Sequence, residues 1–462
     1  MAGAHVDVHV TRGEDGTIRV AAGPAFGQTE AYDDFGAVGP DFTRAVLDVA
    51  GAVLTWPVLG DPGPPVAEVH DVGRAQQWLW ALYGERVAAA VHDCASGPPD
   101  AVRAAADPTA LAGAAARLGF GHWAARWWPT SYADGIPALE PDVLGLELAA
   151  LTHRCQQLFD DFGDQPDDCA AELIEDHRAA LDPLVEWWRT APQPADTARH
   201  LEGVLRLLDD AADAAGLDLD LGLDLGLDLG LDLGLDLGLD FDRDRDRDRD
   251  RDQDRDLDGR RPAGTPVDPG ALFARPVDGY ALAAGEPLVA GGRVIARGPG
   301  TNDWRRYPPG FVDASETAVS WTARALGARR QIEVEVVAHI AAPTAGAPLA
   351  AEVRVDGGPR RRVPLARRND MWTGRADLDP YVSAGAVPPR FEVGVLLPGF
   401  DPGPGSEGRA DRDAIRALAR RRLATAAQPL PYDGSLHDGS PHDASSGPFL
   451  AEIVAAATGE DY

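Results

Sequence analysis

The sequence predicts an α+β multidomain protein: an all-helical N-terminal domain behind a short β-hairpin, a disordered linker, and a β-sandwich-like C-terminal domain followed by one basic helix. Three observations predict it. Apolar residues recur at helical spacing from Asp41 to Ala215, low-complexity tracts run from Leu217 to Asp256, and short β-branched runs set between Gly and Pro follow Pro262. The implied units are 1–38 (hairpin segment), 39–215 (helical domain), 216–261 (linker), 262–425 (sandwich-like domain plus basic helix) and 426–462 (flexible tail ending in a short amphipathic helix).

His5 to Val20 alternates apolar with polar residues on both sides of a Gly-Glu-Asp-Gly turn, which predicts the hairpin. Helices are expected at 41–54, 71–93, 99–106, 108–118, 141–160, 167–181, 182–190 and 197–215, each with an N-cap candidate or proline punctuation nearby. Eight tryptophans in this half (Trp56, Trp78, Trp80, Trp123, Trp127, Trp128, Trp187 and Trp188) predict one core stitched by large aromatics.

The LDLG repeat, Leu217 to Phe241, puts Leu at every second position with Gly every fourth, so it reads as a flexible acidic spacer able, as an alternative, to pair with its own copies. Asp-Arg alternation from Asp242 to Asp256 places like charges four apart and disfavours a helix. Strands are expected at 280–283, 293–296, 318–324, 331–339, 350–355, 361–365, 371–375 and 390–397, with Glu333 and Glu335 facing solvent. A basic helix over 406–424, N-capped by Ser406, carries an apolar stripe of Ala410, Ile415, Leu418 and Leu423. At the end, Phe449, Leu450, Ile453 and Val454 have the spacing of a short amphipathic helix.

Composition excludes several function classes. All 43 basic residues are Arg, so chemistry that needs a lysine amine (Schiff bases, Walker A loops, protein-kinase sites, SxxK acyl enzymes) has no place here. The net charge of -31 disfavours nucleic acid, because binding a polyanion rests on neutralising phosphates. Residues 1–261 carry -29 of that charge. The apolar run Val49 to Gly60 is about 12 residues, short of the roughly 18 that cross a bilayer, so no membrane association is expected. Three cysteines and a start without a secretory pattern predict a cytoplasmic protein.

Candidate motifs are each incomplete. His5, Asp7 and His9 share a strand face but lack the spacing of an amidohydrolase opening, and read as a solvated face. GPGSEG at 403–408 matches GxGxxG but sits too far from its strand. The loop from Asp254 has Asp at positions 1, 3 and 5 yet Thr265 where a calcium loop needs Glu. Cys94, Cys155 and Cys169 lie near His92, His153 and His177 without CxxC spacing, and His153 and Cys155 diverge around a helix. Glu172 and Asp176 share a face, with Glu147 on a neighbouring helix, but the ExxH step of di-iron bundles is missing. Ser435 and Ser440 sit in the tail without GxSxG. Phe120, Trp123, Trp127, Trp128 and Tyr132 form either a stacking platform or, by their helical spacing, core. The expectation is therefore a non-catalytic scaffold or adaptor without cofactor or metal, binding partner proteins through its two modules and through Phe449, Leu450, Ile453 and Val454. Alternatives are a hydrolase with its site in the helical domain, near Trp123 to Asp134 or the Cys and His residues, and self-assembly through LDLG.

Overall fold

The alternation of Val with polar residues at the start of the chain becomes a hairpin in the computed structural model, which describes residues 6–22, 40–60, 63–98, 101–159, 167–190, 194–217, 219, 269–273, 293–327, 329–340, 342–343, 349–378, 389–400, 408–428 and 447–458. Strands β1 (Val6–Arg12) and β2 (Ile18–Ala22) pair antiparallel, with Val8, Val10, Ile18 and Val20 fully buried on one side of the pleat. Four further strands extend the sheet: β3 (Arg44–Val49), β4 (Ala52–Pro57), β5 (Val66–Val69) and β6 (Ala101–Ala106), in the spatial order β3-β4-β5-β2-β1-β6 and antiparallel throughout.

Two of the helices expected in the first half are thus strands. Residues 41–54 hold a one-turn 3-10 helix and then β3 and β4, joined by a turn at Ala50 and Gly51 with Gly51 at φ +75°. In Arg44–Val49 the burial alternates with period 2, so Ala45, Leu47 and Val49 face inward, a pattern indistinguishable from helical spacing over so short a run. Residues 101–106 pair with β1 instead of coiling. The region 39–215 is therefore mixed, and the six-stranded sheet is part of its core.

The remaining expected helices form with shifted ends. They are α1 (Val72–Tyr83), α2 (Glu85–Ser96), α3 (Ala110–Trp127), α4 (Pro141–Arg154), α5 (Asp167–Asp176), α6 (Leu181–Arg189) and α7 (Ala195–Ala215). Gly84, at φ +91°, divides α1 from α2, and any β-carbon there would lie 2.5 Å from the Asp107 carboxylate. Thr109 caps α3 by accepting the Ala112 amide hydrogen at 3.0 Å. A short helix α8 (Pro269–Phe273) follows the linker.

The second half holds two antiparallel sheets. One contains β7 (Arg293–Pro299), β8 (Val319–Leu326), β9 (Arg329–Val337), β12 (Ala366–Arg368) and β13 (Met371–Leu378) in the order β12-β13-β9-β8-β7. The other contains β10 (Ala350–Val355), β11 (Arg361–Pro364) and β14 (Phe391–Leu396) in the order β11-β10-β14. Seven of the eight expected strands are present; the one at 280–283 lies outside the described residues, as do 220–268, containing the Asp-Arg alternation and most of LDLG, and the tail at 429–446. Glu333 does not face solvent: it is 5% exposed and lies opposite Arg375 of β13, with which it pairs at 3.4 Å. Cross-strand charge pairing has let a carboxylate occupy an inward position.

Two last helices, α9 (Arg409–Ala427) and α10 (Leu450–Thr458), pack on one another. α9 begins after Gly408 in the left-handed region instead of at Ser406. The residues it buries most fully are Arg412, Ile415, Arg416 and Ala419; of the expected stripe Ile415 is buried, Leu418 and Leu423 pack partly buried against the core, and Ala410 is exposed. Buried side chains of both halves join in one cluster, in which Phe42 meets Trp304 edge-on at 5.2 Å.

Candidate functional site

The most concentrated chemistry lies where the two halves meet. The connection between α3 and α4 presents Ser131 and Tyr132 to Asp313, which follows the Trp304 turn of the second half. The Asp313 carboxylate, 4% exposed, accepts hydrogen bonds from the Ser131 hydroxyl, the Tyr132 amide and the Ser315 amide, each at 2.8 Å. Burial raises its pKa, and the three donors oppose that rise.

Arg412, Arg416 and Arg420 follow at four-residue steps, so they project from one face of α9. Arg412, fully buried, holds both oxygens of Glu316 at 2.6 and 3.1 Å. Arg416 donates to the Ala314 carbonyl at 3.0 Å and approaches Asp134 at 3.5 Å, and Arg420 reaches Asp134 at 3.2 Å. Glu316 belongs to the second half and Asp134 to the first, so one helix face ties both. Planar guanidinium groups suit such bidentate, desolvated pairing better than ammonium groups would, which gives the all-Arg composition a structural use.

A second cluster fixes the start of α10. Glu147 of α4, 1% exposed, accepts from Arg117 at 2.7 Å, His200 at 2.9 Å and the Leu450 amide at 2.8 Å. Burial pushes its carboxyl pKa up, but the His200 and Arg117 charges and hydrogen bonds outweigh this and hold it at about 2. Glu452 accepts the Phe449 amide hydrogen at 2.7 Å and takes both arms of Arg422 at 2.6 and 2.7 Å. The Arg117 and Arg422 guanidinium groups also sit over the Phe449 ring, at 4.5 and 5.7 Å from its centroid.

Beside these clusters is a cleft of about 1030 Å³. Its walls are the end of α3, the α3–α4 connection, the first turns of α4, Val454, Ala455 and Thr458 of α10 and residues of the segment from Trp304 to Ala314. Trp127, Trp128, Trp304, Tyr307, Leu144 and Val454 supply much of the apolar lining. His177 enters because α4 has no side chain at Gly145: a β-carbon there would lie 2.0 Å from the imidazole Cδ2. Asp142 steadies the ring at 3.1 Å from Nδ1. His339 also lines the cleft, its pKa lowered to about 4 by burial and by Arg367, so it is neutral at neutral pH. Gly145→Ala should drive His177 out of its place and cost about 1–3 kcal/mol, read as a lower thermal midpoint. Gly145→Ala with His177→Ala should recover most of that loss.

The residues expected to bind a partner are placed differently. Phe449, Leu450 and Val454 are 1, 0 and 4% exposed and Ile453 is half-buried, so the apolar stripe closes the chain's own core. A short helix flanked by polar tail has the same sequence pattern whether its face meets another protein or its own chain. Of the aromatic group, Trp123 and Trp128 are buried with their indole N–H groups bonded to Phe42 and Pro137 carbonyls, Phe120 packs against Trp123 and Phe449, and Tyr132 is exposed. Trp127 and Trp128 reach the cleft.

The cysteines do not converge: Cys94 and Cys155 are buried, Cys169 is exposed, and among the described residues no group of three or more His, Cys, Asp or Glu side chains could hold a metal. Burial pushes the Cys155 thiol up to about 12, which suits a structural thiol and not a nucleophile. A native-state titration with an aromatic disulfide reagent at pH 8 should therefore release about one equivalent, from Cys169, with the other two appearing on unfolding. His5, the calcium-like loop at 254–265, residues 403–407, and Ser435 and Ser440 lie outside the described residues; Asp7 pairs with Arg103, and His9 is buried. Glu147 belongs to the α10 cluster, so the imagined trio with Glu172 and Asp176 does not form around it. Sequence reading missed Arg412, Arg416, Glu316 and Asp313, for which the four-residue arginine spacing was the available signal. Among the described residues no helix is long and apolar enough to cross a membrane. Comparison with protein-family models, with curated proteins and with solved structures finds no match.

Proposed function

We propose that the chain is a non-catalytic binding protein whose working part is the cleft between its two halves. One observation carries this reading: a cavity of about 1030 Å³, at the upper end of the range for ligand sites, with mainly apolar walls and a few convergent polar groups. The arginine face of α9 supports it, because bidentate ion pairs hold the walls in register without occupying the cavity. Any scaffold role toward partner proteins then rests on surfaces other than Phe449, Leu450 and Val454, whose exposure would dismantle the α10 cluster. A cytoplasmic setting fits three thiols that form no disulfide.

The test is a thermal-shift screen of small apolar molecules against the native chain and an Ala138→Trp variant, in which a bulky ring intrudes from the cleft wall. Compounds that raise the native midpoint by several degrees and leave the variant unmoved support the reading. A screen in which no compound separates the two proteins overturns it.

A further inference from the structure

The geometry points to a second binding site, separate from the cleft, that takes a small zwitterion the size of a free amino acid. It is a cavity of about 150 Å³ against the β11-β10-β14 sheet, and polar atoms make up most of its lining. Drug-sized sites run from roughly 300 to 1,000 Å³, so the occupant is small. The pairing register explains the hole. Glu352 of β10 stands opposite Gly394 of β14, and Arg354 stands opposite Glu392, so this face of the two strands carries three charged side chains and one position with none. Ala351 and Val353 are buried on the other side of the pleat. Thr301 bridges to Gly394 at the edge of the sheet. Arg306 reaches over that glycine from the Trp304 turn, its guanidinium Nη1 3.2 Å from where a β-carbon would stand. Arg360, just before β11, approaches the Glu352 oxygen that Arg306 also faces.

Charge names the ligand. Arg306, Arg354 and Arg360 meet Glu352 and Glu392 around the cavity. Asp303 lines it too, but both its oxygens are taken by Arg305, at 3.0 and 2.9 Å. The other ion contacts are loose: Arg306 and Arg360 stand 3.5 and 3.3 Å from Glu352, and Arg354 stands 3.7 Å from Glu392. Elsewhere in the molecule Arg412 and Arg422 close on their glutamates at 2.6 to 3.1 Å. Guanidinium donors and carboxylate acceptors are thus gathered in one place without being spent on each other. They are also within reach, from Glu352 at 16% exposed to Arg360 at 60%. A ligand with only a carboxylate would gain from the arginines and be repelled by Glu352 and Glu392; one with only an ammonium would meet the reverse. A molecule carrying both groups a few ångströms apart satisfies both signs, and the planar fork of arginine suits its carboxylate.

The experiment is isothermal titration calorimetry of the full chain, at one low ionic strength, with three probes that share a side chain: L-alanine, N-acetyl-L-alanine and L-alaninamide. The zwitterion should saturate and bind about tenfold tighter than either singly charged analogue, since each analogue lacks one charge-assisted contact. Gly394→Val fills the hole and should abolish saturation; the Arg306 side-chain end it meets is flexible enough to give way. Glu392→Gln, at a half-exposed position, should weaken alanine about tenfold and leave N-acetylalanine as it was or tighter. Ala138→Trp, in the cleft wall, should change nothing, which keeps this site's outcome apart from that of the cleft. An anion or a cation that binds as tightly as alanine overturns the ligand class, and absence of saturation by alanine overturns the inference outright. Saturation that survives Gly394→Val, or that is lost in Ala138→Trp, overturns the placement in this cavity. Should Gly394→Val fail to fold, Glu392→Gln decides alone, and an unchanged alanine affinity there overturns the inference.

Discussion

Glu316→Ala should destabilise the protein by about 3–5 kcal/mol, the largest effect expected of any single substitution at the junction. Arg412 has no exposed surface, and the variant strips its charge of the carboxylate that both its arms engage. Arg416 and Arg409 lose the same partner, at 3.4 and 3.8 Å. The pair itself contributes much less than its disruption costs, because desolvating two charges offsets most of their attraction. Replacing both partners with apolar residues of similar size, Glu316→Leu with Arg412→Met, should accordingly recover most of the loss. Urea denaturation followed by tryptophan fluorescence measures both variants, and Trp304, 5.9 Å below the Arg416 guanidinium, reports from the junction. A double variant as unstable as the single one would show that shape, not charge, holds α9 in place.

Acid should release α10 before it unfolds the sheets. The carboxyl of Glu147 is held at about 2 in the fold against an ordinary value of 4.5, so its stabilising contribution is complete above about pH 4.5 and fades as pH falls toward 2. The difference corresponds to about 3 kcal/mol at neutral pH. The groups that face it come from three elements, Arg117 on α3, His200 on α7 and the Leu450 amide on α10, so protonation loosens the terminal helix directly. Hydrogen exchange of the amides of 450–458 should accelerate across that window in the native chain. A Glu147→Gln variant should exchange fast already at pH 7 and show little further change on acidification. Protection that is equal in both proteins at pH 7 would refute the role given to this carboxylate.

The fold was legible in the sequence wherever local patterning and burial agree. Strands of the second half were readable because β-branched runs bounded by Gly and Pro define their own ends, as Ala350–Val355 and Met371–Leu378 illustrate. Helices such as α7 were readable through a long 3.6-residue period. Failure came at Arg44–Val49 and Ala101–Ala106, six-residue Ala- and Val-rich runs too short for a period to separate helix from strand, where pairing across the sheet decided the outcome. The turn at Ala50 and Gly51 does have a signal in the sequence, a glycine between two apolar runs. The site was less legible than the fold. Asp134, Asp313 and Glu316 are ordinary surface-type residues in the sequence, and only partners distant along the chain make Asp313 a buried group and draw Asp134 and Glu316 into ion pairs.

By itself the sequence determined which chemistries the chain lacks, the hairpin at its start, the antiparallel sheets of its second half and the amphipathic character of its last helix. These are properties of residue type and of neighbours a few positions apart. Tertiary structure alone decided that α9 turns arginines inward, that Phe449 and Leu450 close the chain's own core, and that Trp127 and Trp304 face one cavity. The reason is physical: whether a charge or an apolar face is buried depends on what meets it through space, and a linear pattern records the face without recording its partner.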